Sequence, residues 1–200
     1  GIYLEKETVM KRMVGSVFFV VFLLAAVGFA NASLITSSAD PALTGGTVIN
    51  FDGTPLQNSP SFTFGDVTFT TSAGNLRIAD FGEGGSGWMG SGQTLSTQNT
   101  NPPSTLRITF DSPVSAFGMA WGAANPSWGV TLLDSTNSVI DDLTFVGGNA
   151  GASFSEFYGA TGAGISVVDM ITLDGLYDWV IIDDFVYVPG DGSNQVPAIP

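Results

Sequence analysis

The side chains able to do chemistry in this chain are mostly of one kind. Eighteen are carboxylates, Lys and Arg together number five, and there is no His and no Cys. The last fact excludes Ser-His-Asp and Cys-His nucleophiles, His-ligated zinc, zinc ribbons and disulfides together. Carboxylates are suited to holding hard cations. Ca2+ takes six to eight oxygens at about 2.4 Å, so two or three Asp side chains with backbone carbonyls suffice. The adjacent Asp183-Asp184 interrupt an otherwise apolar strand-like run, where an unpaired carboxylate is costly to bury. Neighbours along a strand point to opposite faces, so at most one of the two is a direct ligand. The alternative is that one faces solvent while the other caps a turn or pairs with Arg77 or Arg107. Asp141-Asp142, Asp174 and Asp178 read as solvated turn carboxylates, and no Asp-x-Asp-x-Asp-Gly loop exists to make an EF-hand.

Aromatic rings are the second resource. Trp88 lies in the Gly-rich run 82–92 and Trp128 in Asn125-Pro126-Ser127-Trp128-Gly129, both loop-like settings. A ring held there can stack on the apolar face of a sugar, or can simply cover the end of a core. Trp121 and Trp179 adjoin strands and read as core. Catalysis has the weakest support. A glycosidase needs two carboxylates across a cleft, and nothing in the placement of Glu83 and Glu156 marks a pair. No Gly-x-Ser-x-Gly elbow, phosphate loop or Asp-Thr-Gly motif occurs, so the expectation is a protein that is not an enzyme. A net charge of −13 leaves no cationic surface for nucleic acid.

The elements that must position these residues follow from pattern. Residues 1–9 read as an upstream extension. Residues 10–32 read as a signal peptide: cationic Met10-Lys11-Arg12-Met13, the apolar run Val14 to Phe29, and the small-x-small site Ala30-Asn31-Ala32. The mature chain then starts near Ser33 with two cations, Arg77 and Arg107, and sixteen carboxylates. With no Cys it needs no oxidative folding, which suits a bacterial envelope or extracellular protein. From Thr47 to Val188 short β runs alternate with turn signals such as Phe64-Gly65-Asp66, Asp111-Ser112-Pro113 and Leu173-Asp174-Gly175. About ten strands are expected, at 47–51, 66–70, 76–79, 106–110, 116–121, 130–133, 139–145, 153–158, 165–173 and 179–188. Residues 80–103 are expected as loop. The fold class is all-β, an antiparallel β-sandwich over residues 33–188 with jelly-roll-like closure of its edges. Residues 189–200 form a Gly/Pro/Ser/Asn linker.

The order Val48-Ile49-Asn50-Phe51-Asp52, Ile108-Thr109-Phe110-Asp111-Ser112-Pro113, Val130-Thr131-Leu132-Leu133-Asp134 and Ile182-Asp183-Asp184-Phe185-Val186-Tyr187 resembles the jelly-roll-like ectodomains of PEP-CTERM (exosortase-sorted) bacterial proteins. Val196-Pro197-Ala198-Ile199-Pro200 is similar to the lead-in of their sorting segment. The Glu-Pro step, apolar helix and Arg cluster of that family are not in this chain. The resemblance implies export to the cell surface and association with a biofilm or exopolysaccharide matrix. A membrane would be met only through the leader or a missing C-terminal anchor. In jelly-roll binding modules of this kind a structural Ca2+ often bridges an early strand and the last one, which would bring Asp52 to Asp183-Asp184 as candidate ligands. The function expected is thus a non-catalytic surface or matrix β-sandwich, with a polysaccharide or another matrix polymer as partner. A carbohydrate-active hydrolase on the same fold, or a purely structural matrix protein, are the alternatives.

Overall fold

The computed structural model describes residues 32–80, 92–148 and 154–190. Within them lie twelve strands and one short helical turn, Pro41–Leu43. The strands are β1 (Ser33–Ile35), β2 (Thr47–Ile49), β3 (Gln57–Ser59), β4 (Ser61–Phe64), β5 (Val67–Thr70), β6 (Gly74–Asp80), β7 (Gln93–Thr100), β8 (Thr105–Gly122), β9 (Trp128–Leu133), β10 (Val139–Phe145), β11 (Phe154–Thr172) and β12 (Ile181–Pro189). The expected all-β, antiparallel class holds. Among the described residues no helix is long and apolar enough to cross a membrane. Residues 1–31 and 191–200, which hold the expected upstream extension and most of the expected signal peptide and linker, lie outside the described residues, and Pro189, expected in the linker, closes β12.

Two long strands organise everything else. β8 and β11 pair along nearly their whole length, with register shifts between Thr161 and Val167. That break divides the ribbon between two layers. The first half of β8 and the second half of β11 build one layer, in the order β4-β5-β8-β11-β9-β10. The other halves build the second layer, β1-β11-β8-β12, with β2 and β7 sharing the far side of β12 and β6 and β3 beyond β7. Asp111-Ser112-Pro113 reads as a turn, yet it is the bend of one continuous strand. The expected pairs 106–110 with 116–121 and 153–158 with 165–173 are therefore each one element.

Between the layers, apolar residues at alternate positions meet. Phe69 of β5 stands edge-on to Phe185 of β12 with centroids 5.1 Å apart, and Phe51 meets Phe64 at 5.0 Å. At the other end Trp121 crosses Trp128 at 5.7 Å and Phe145 at 5.6 Å. Such edge-to-face pairs add about 0.5–1.5 kcal/mol each beyond their area.

The segment expected as loop, 80–103, contains β7. Its sequence Gln-Thr-Leu-Ser-Thr-Gln-Asn-Thr carries no apolar pattern, but Thr94 to Thr97 are buried in the sheet. Hydroxyls are tolerated there because they are bonded. Val180 N–H donates to Thr97 Oγ1 (2.9 Å), and Thr100 Oγ1 donates to the Thr97 carbonyl (2.9 Å).

Candidate binding face

The outward side of the β4-β5-β8-β11-β9-β10 layer is built by simple alternation. Where Leu106, Ile108, Met170, Val130 and Leu132 turn inward, their neighbours Arg107, Asp169 and Thr131 turn out. Register lines these up. Ser61 faces Thr70, Thr70 faces Arg107, Arg107 faces Asp169, Asp169 faces Thr131, and Thr131 faces Asp142. One polar row therefore crosses all six strands. In the next row Thr105, Ile171, Gly129 and Thr144 are in register. The two rows frame a cleft of about 400 Å3 lined by Thr71, Thr105, Arg107, Thr131, Asp169 and Ile171, among others.

Its polar groups are already oriented. Arg107 Nε lies 3.5 Å from Asp169 Oδ1, with both side chains nearly half exposed, and Arg107 Nη2 donates to Asn137 Oδ1 (3.5 Å). Thr131 Oγ1 donates to Asp142 Oδ1 (2.6 Å). On the opposite wall Ser72 Oγ and Thr71 Oγ1 are hydrogen-bonded to Thr105 Oγ1 at 2.8 and 3.1 Å. A fork of N–H donors, a carboxylate and a hydroxyl cluster on one floor suit a ligand rich in hydroxyl groups. Sequence named only Arg107, as a possible Asp partner, and Asp142, as a turn carboxylate that in fact lies within β10; the row itself was hidden because its six members come from six different strands and share no motif.

The sequence-derived candidates fall elsewhere. Trp88 lies outside the described residues. Trp128 is corrected: it is 0 % exposed, packed in the Trp121, Phe145 and Tyr158 nest, and cannot stack on a ligand. Its Nε1 donates to Asp178 Oδ2 (2.9 Å). Asp178 is in turn no solvated turn residue but a carboxylate 2 % exposed. Burial pushes its pKa up, opposed by the hydrogen bonds from Trp128 and Asn125. Asp174 does cap its turn, accepting from Leu176 N–H (3.0 Å).

Of the calcium candidates, Asp52 and Asp184 do approach one another. Asp184 sits at φ +45° in a bulge of β12, where register shifts between Asp183 and Val186. Burial raises its pKa first, and the charge of Asp52 adds to the rise. Asp52 Oδ1 accepts from Gln93 N–H (3.0 Å). Asp183 turns the other way, is 1 % exposed, and accepts from Asp184 N–H (2.8 Å). Among the described residues, no three acidic side chains gather as a metal centre. The Arg107 partner is Asp169, not Asp183 or Asp184.

No protein-family model matches the chain, and no curated protein does. Several solved structures are similar to it at low identity. A family 29 carbohydrate-binding module is 10% identical over 85% of this chain and 100% of its own length, with a TM-score of 0.45. A cleaved adhesin domain of Lys-gingipain from Porphyromonas gingivalis is 12% identical over 71% and 98%, at 0.41. A DUF4465 family protein from Bacteroides caccae is 12% identical over 78% and 99%, at 0.38.

Proposed function

We propose that this chain is an exported, non-catalytic surface or matrix β-sandwich that binds polysaccharide along the polar row of the β4-β5-β8-β11-β9-β10 layer. The observation that carries it is the cleft of about 400 Å3 floored by Arg107, Asp169 and Thr131 in register. That volume falls in the range of ligand pockets. Binding without reaction is favoured by where the perturbed carboxyls are. The groups that burial inclines to keep a proton are Asp178, Asp184 and Glu156, and none of them lines this cleft. That no carboxyl with a raised pKa lines the cleft among the described residues supports binding over acid catalysis. Export is supported by the leader pattern that ends at Ala32, immediately before β1.

A calcium ion belongs to the same proposal as a structural adjunct. Two like-charged carboxylates, Asp52 and Asp184, are held together with burial already penalising one of them, and a divalent cation would relieve both costs. Asp52 and Asp184 would be its side-chain ligands, with backbone carbonyls and water completing the shell.

The test of binding is retardation on native gels cast with soluble polysaccharides. Thr131→Arg places a long side chain on the cleft floor at an outward position. It should abolish retardation while leaving the melting temperature within a few degrees of the parent. Unchanged retardation by that variant would remove the cleft from the function.

A further inference from the structure

The chemistry of the cleft goes beyond binding to a choice of ligand. Resting on the polysaccharide reading above, we infer that the row takes the interior of an uncharged glycan chain, gripping neighbouring ring hydroxyls between Arg107 and Asp169, and turns polyanionic glycans away.

Charge is the first ground. Arg107 is the one cation lining the cleft, and it is matched by Asp169 at 3.5 Å and further occupied by Asn137. Asp142 stands one position beyond Thr131 in the same row. The floor therefore carries one more negative than positive charge, within a chain of net charge −13. A uronate or sulfate in the cleft would meet a neutralised guanidinium and an excess carboxylate, inside a negative field that also slows its approach. A neutral sugar meets neither cost.

The form of the row is the second ground. It runs from Ser61 on β4 to Asp142 on β10, and each of these strands pairs on one side only. At a strand spacing of about 4.8 Å, five steps span roughly 24 Å, the length of several sugar units. Among the described residues no strand walls the row at either end. A chain can pass across it, whereas a site for a chain end would need a closed terminus.

The third ground is what lines the cleft. Thr70, Thr71, Ser72, Thr105, Thr131 and the Arg107–Asp169 pair supply hydroxyls, donors and an acceptor, and no aromatic ring is among the lining residues. Among the described residues, recognition then rests on hydrogen bonds to hydroxyls. An N–H donor beside a carboxylate acceptor matches two adjacent hydroxyls, the first accepting from Arg107 and the second donating to Asp169. Ile171, exposed in the neighbouring row, offers the apolar contact that sugar C–H groups need.

The experiment is a panel of dextran, galactomannan and mixed-linkage β-glucan against alginate and polygalacturonate, run in EDTA so that no divalent ion bridges acidic groups. Retardation is expected with at least one neutral polymer and with neither acidic one, changing less than about twofold between low and high NaCl because no counterions are released. Arg107→Lys keeps the charge but loses the fork, and Asp169→Asn keeps the shape but loses the acceptor charge. Each should weaken binding roughly tenfold or more, the cost of one charge-assisted hydrogen bond. Preferential binding of alginate or polygalacturonate that weakens with salt and is abolished by Thr131→Arg would overturn the neutral class while leaving the cleft as the site. Retardation by no polymer, or retardation indifferent to Thr131→Arg, Arg107→Lys and Asp169→Asn, would overturn both.

Discussion

Asp178, Asp184 and Glu156 share a property with a sign that can be worked out. Burial raises the pKa of each above its ordinary carboxylate value. A carboxyl whose folded pKa is raised holds its proton more tightly in the native state than in the unfolded chain. Its contribution to stability is complete below the unfolded value, near pH 4, and is lost as pH rises through the folded value. The protein should therefore melt at a higher temperature at pH 5 than at pH 7.5, the reverse of what salt-bridged carboxylates would produce. Asp178 is the most buried of the three and is tied to Trp128 and Asn125, so Asp178→Asn should flatten the profile more than Glu156→Gln. Melting curves across pH 4.5–8 for the parent and both variants check it. An identical slope in all three would mean that these groups do not set the pH response.

At the scale of elements, the β8–β11 ribbon depends on glycines where the two strands press together. Gly159 pairs with Gly118, and a Cβ at 159 would intrude on the Phe117 carbonyl, while one at 118 would come within 2.6 Å of the Phe157 ring. Backbone cannot step aside in a central strand. Gly159→Ala should cost about 1–3 kcal/mol or more, read by urea denaturation. Gly162→Ala should cost less, because it meets side-chain atoms and no backbone, Ile165 at 3.2 Å and Ala32 Cβ at 3.6 Å. Equal costs would show that the ribbon accommodates the methyl group. The same ribbon marks the limit of what sequence revealed. β10 was legible to the residue, since Val139–Phe145 is bounded by the turn Asp134 to Ser138 and by Gly147-Gly148. The bend through Asp111-Ser112-Pro113 was not, because a turn tripeptide can also sit at an outward kink of a continuing strand. β7 was hidden by its hydroxyls, and the partners of Thr97 lie some eighty residues away at Asp178 and Val180. Trp128 looked like a loop residue from Asn125-Pro126-Ser127 alone, since Trp121, which crosses it, and Phe145, opposite it in register, come from other strands. That Asp52 and Asp183-Asp184 could meet was an expectation of the resemblance and of no motif in the chain, whereas the row through Arg107, Asp169 and Thr131 exists only in the register.

At the scale of the whole chain, acidity without balancing cations is the governing fact. Five basic groups against eighteen acidic ones leave a field that keeps copies apart in solution but strains the folded state through self-repulsion. Monovalent salt and calcium should both raise the melting temperature, and the way they do so separates general screening from the proposed ion. Screening depends on ionic strength alone, so NaCl and CaCl2 adjusted to equal ionic strength would act alike. An ion held at Asp52 and Asp184 adds a term that grows as RT ln(1 + [Ca]/Kd) and vanishes in EDTA. The variant Asp52→Asn then decides the matter by sign. If the two carboxylates only repel, neutralising Asp52 removes the charge that raises the Asp184 pKa and the variant melts higher than the parent in EDTA and in calcium alike. If they hold Ca2+, the variant gains in EDTA but loses the calcium-dependent rise, so that in millimolar calcium the parent melts higher. The second pattern is the expected one. A parent curve that does not distinguish CaCl2 from NaCl at matched ionic strength would remove the ion and leave repulsion as the whole effect.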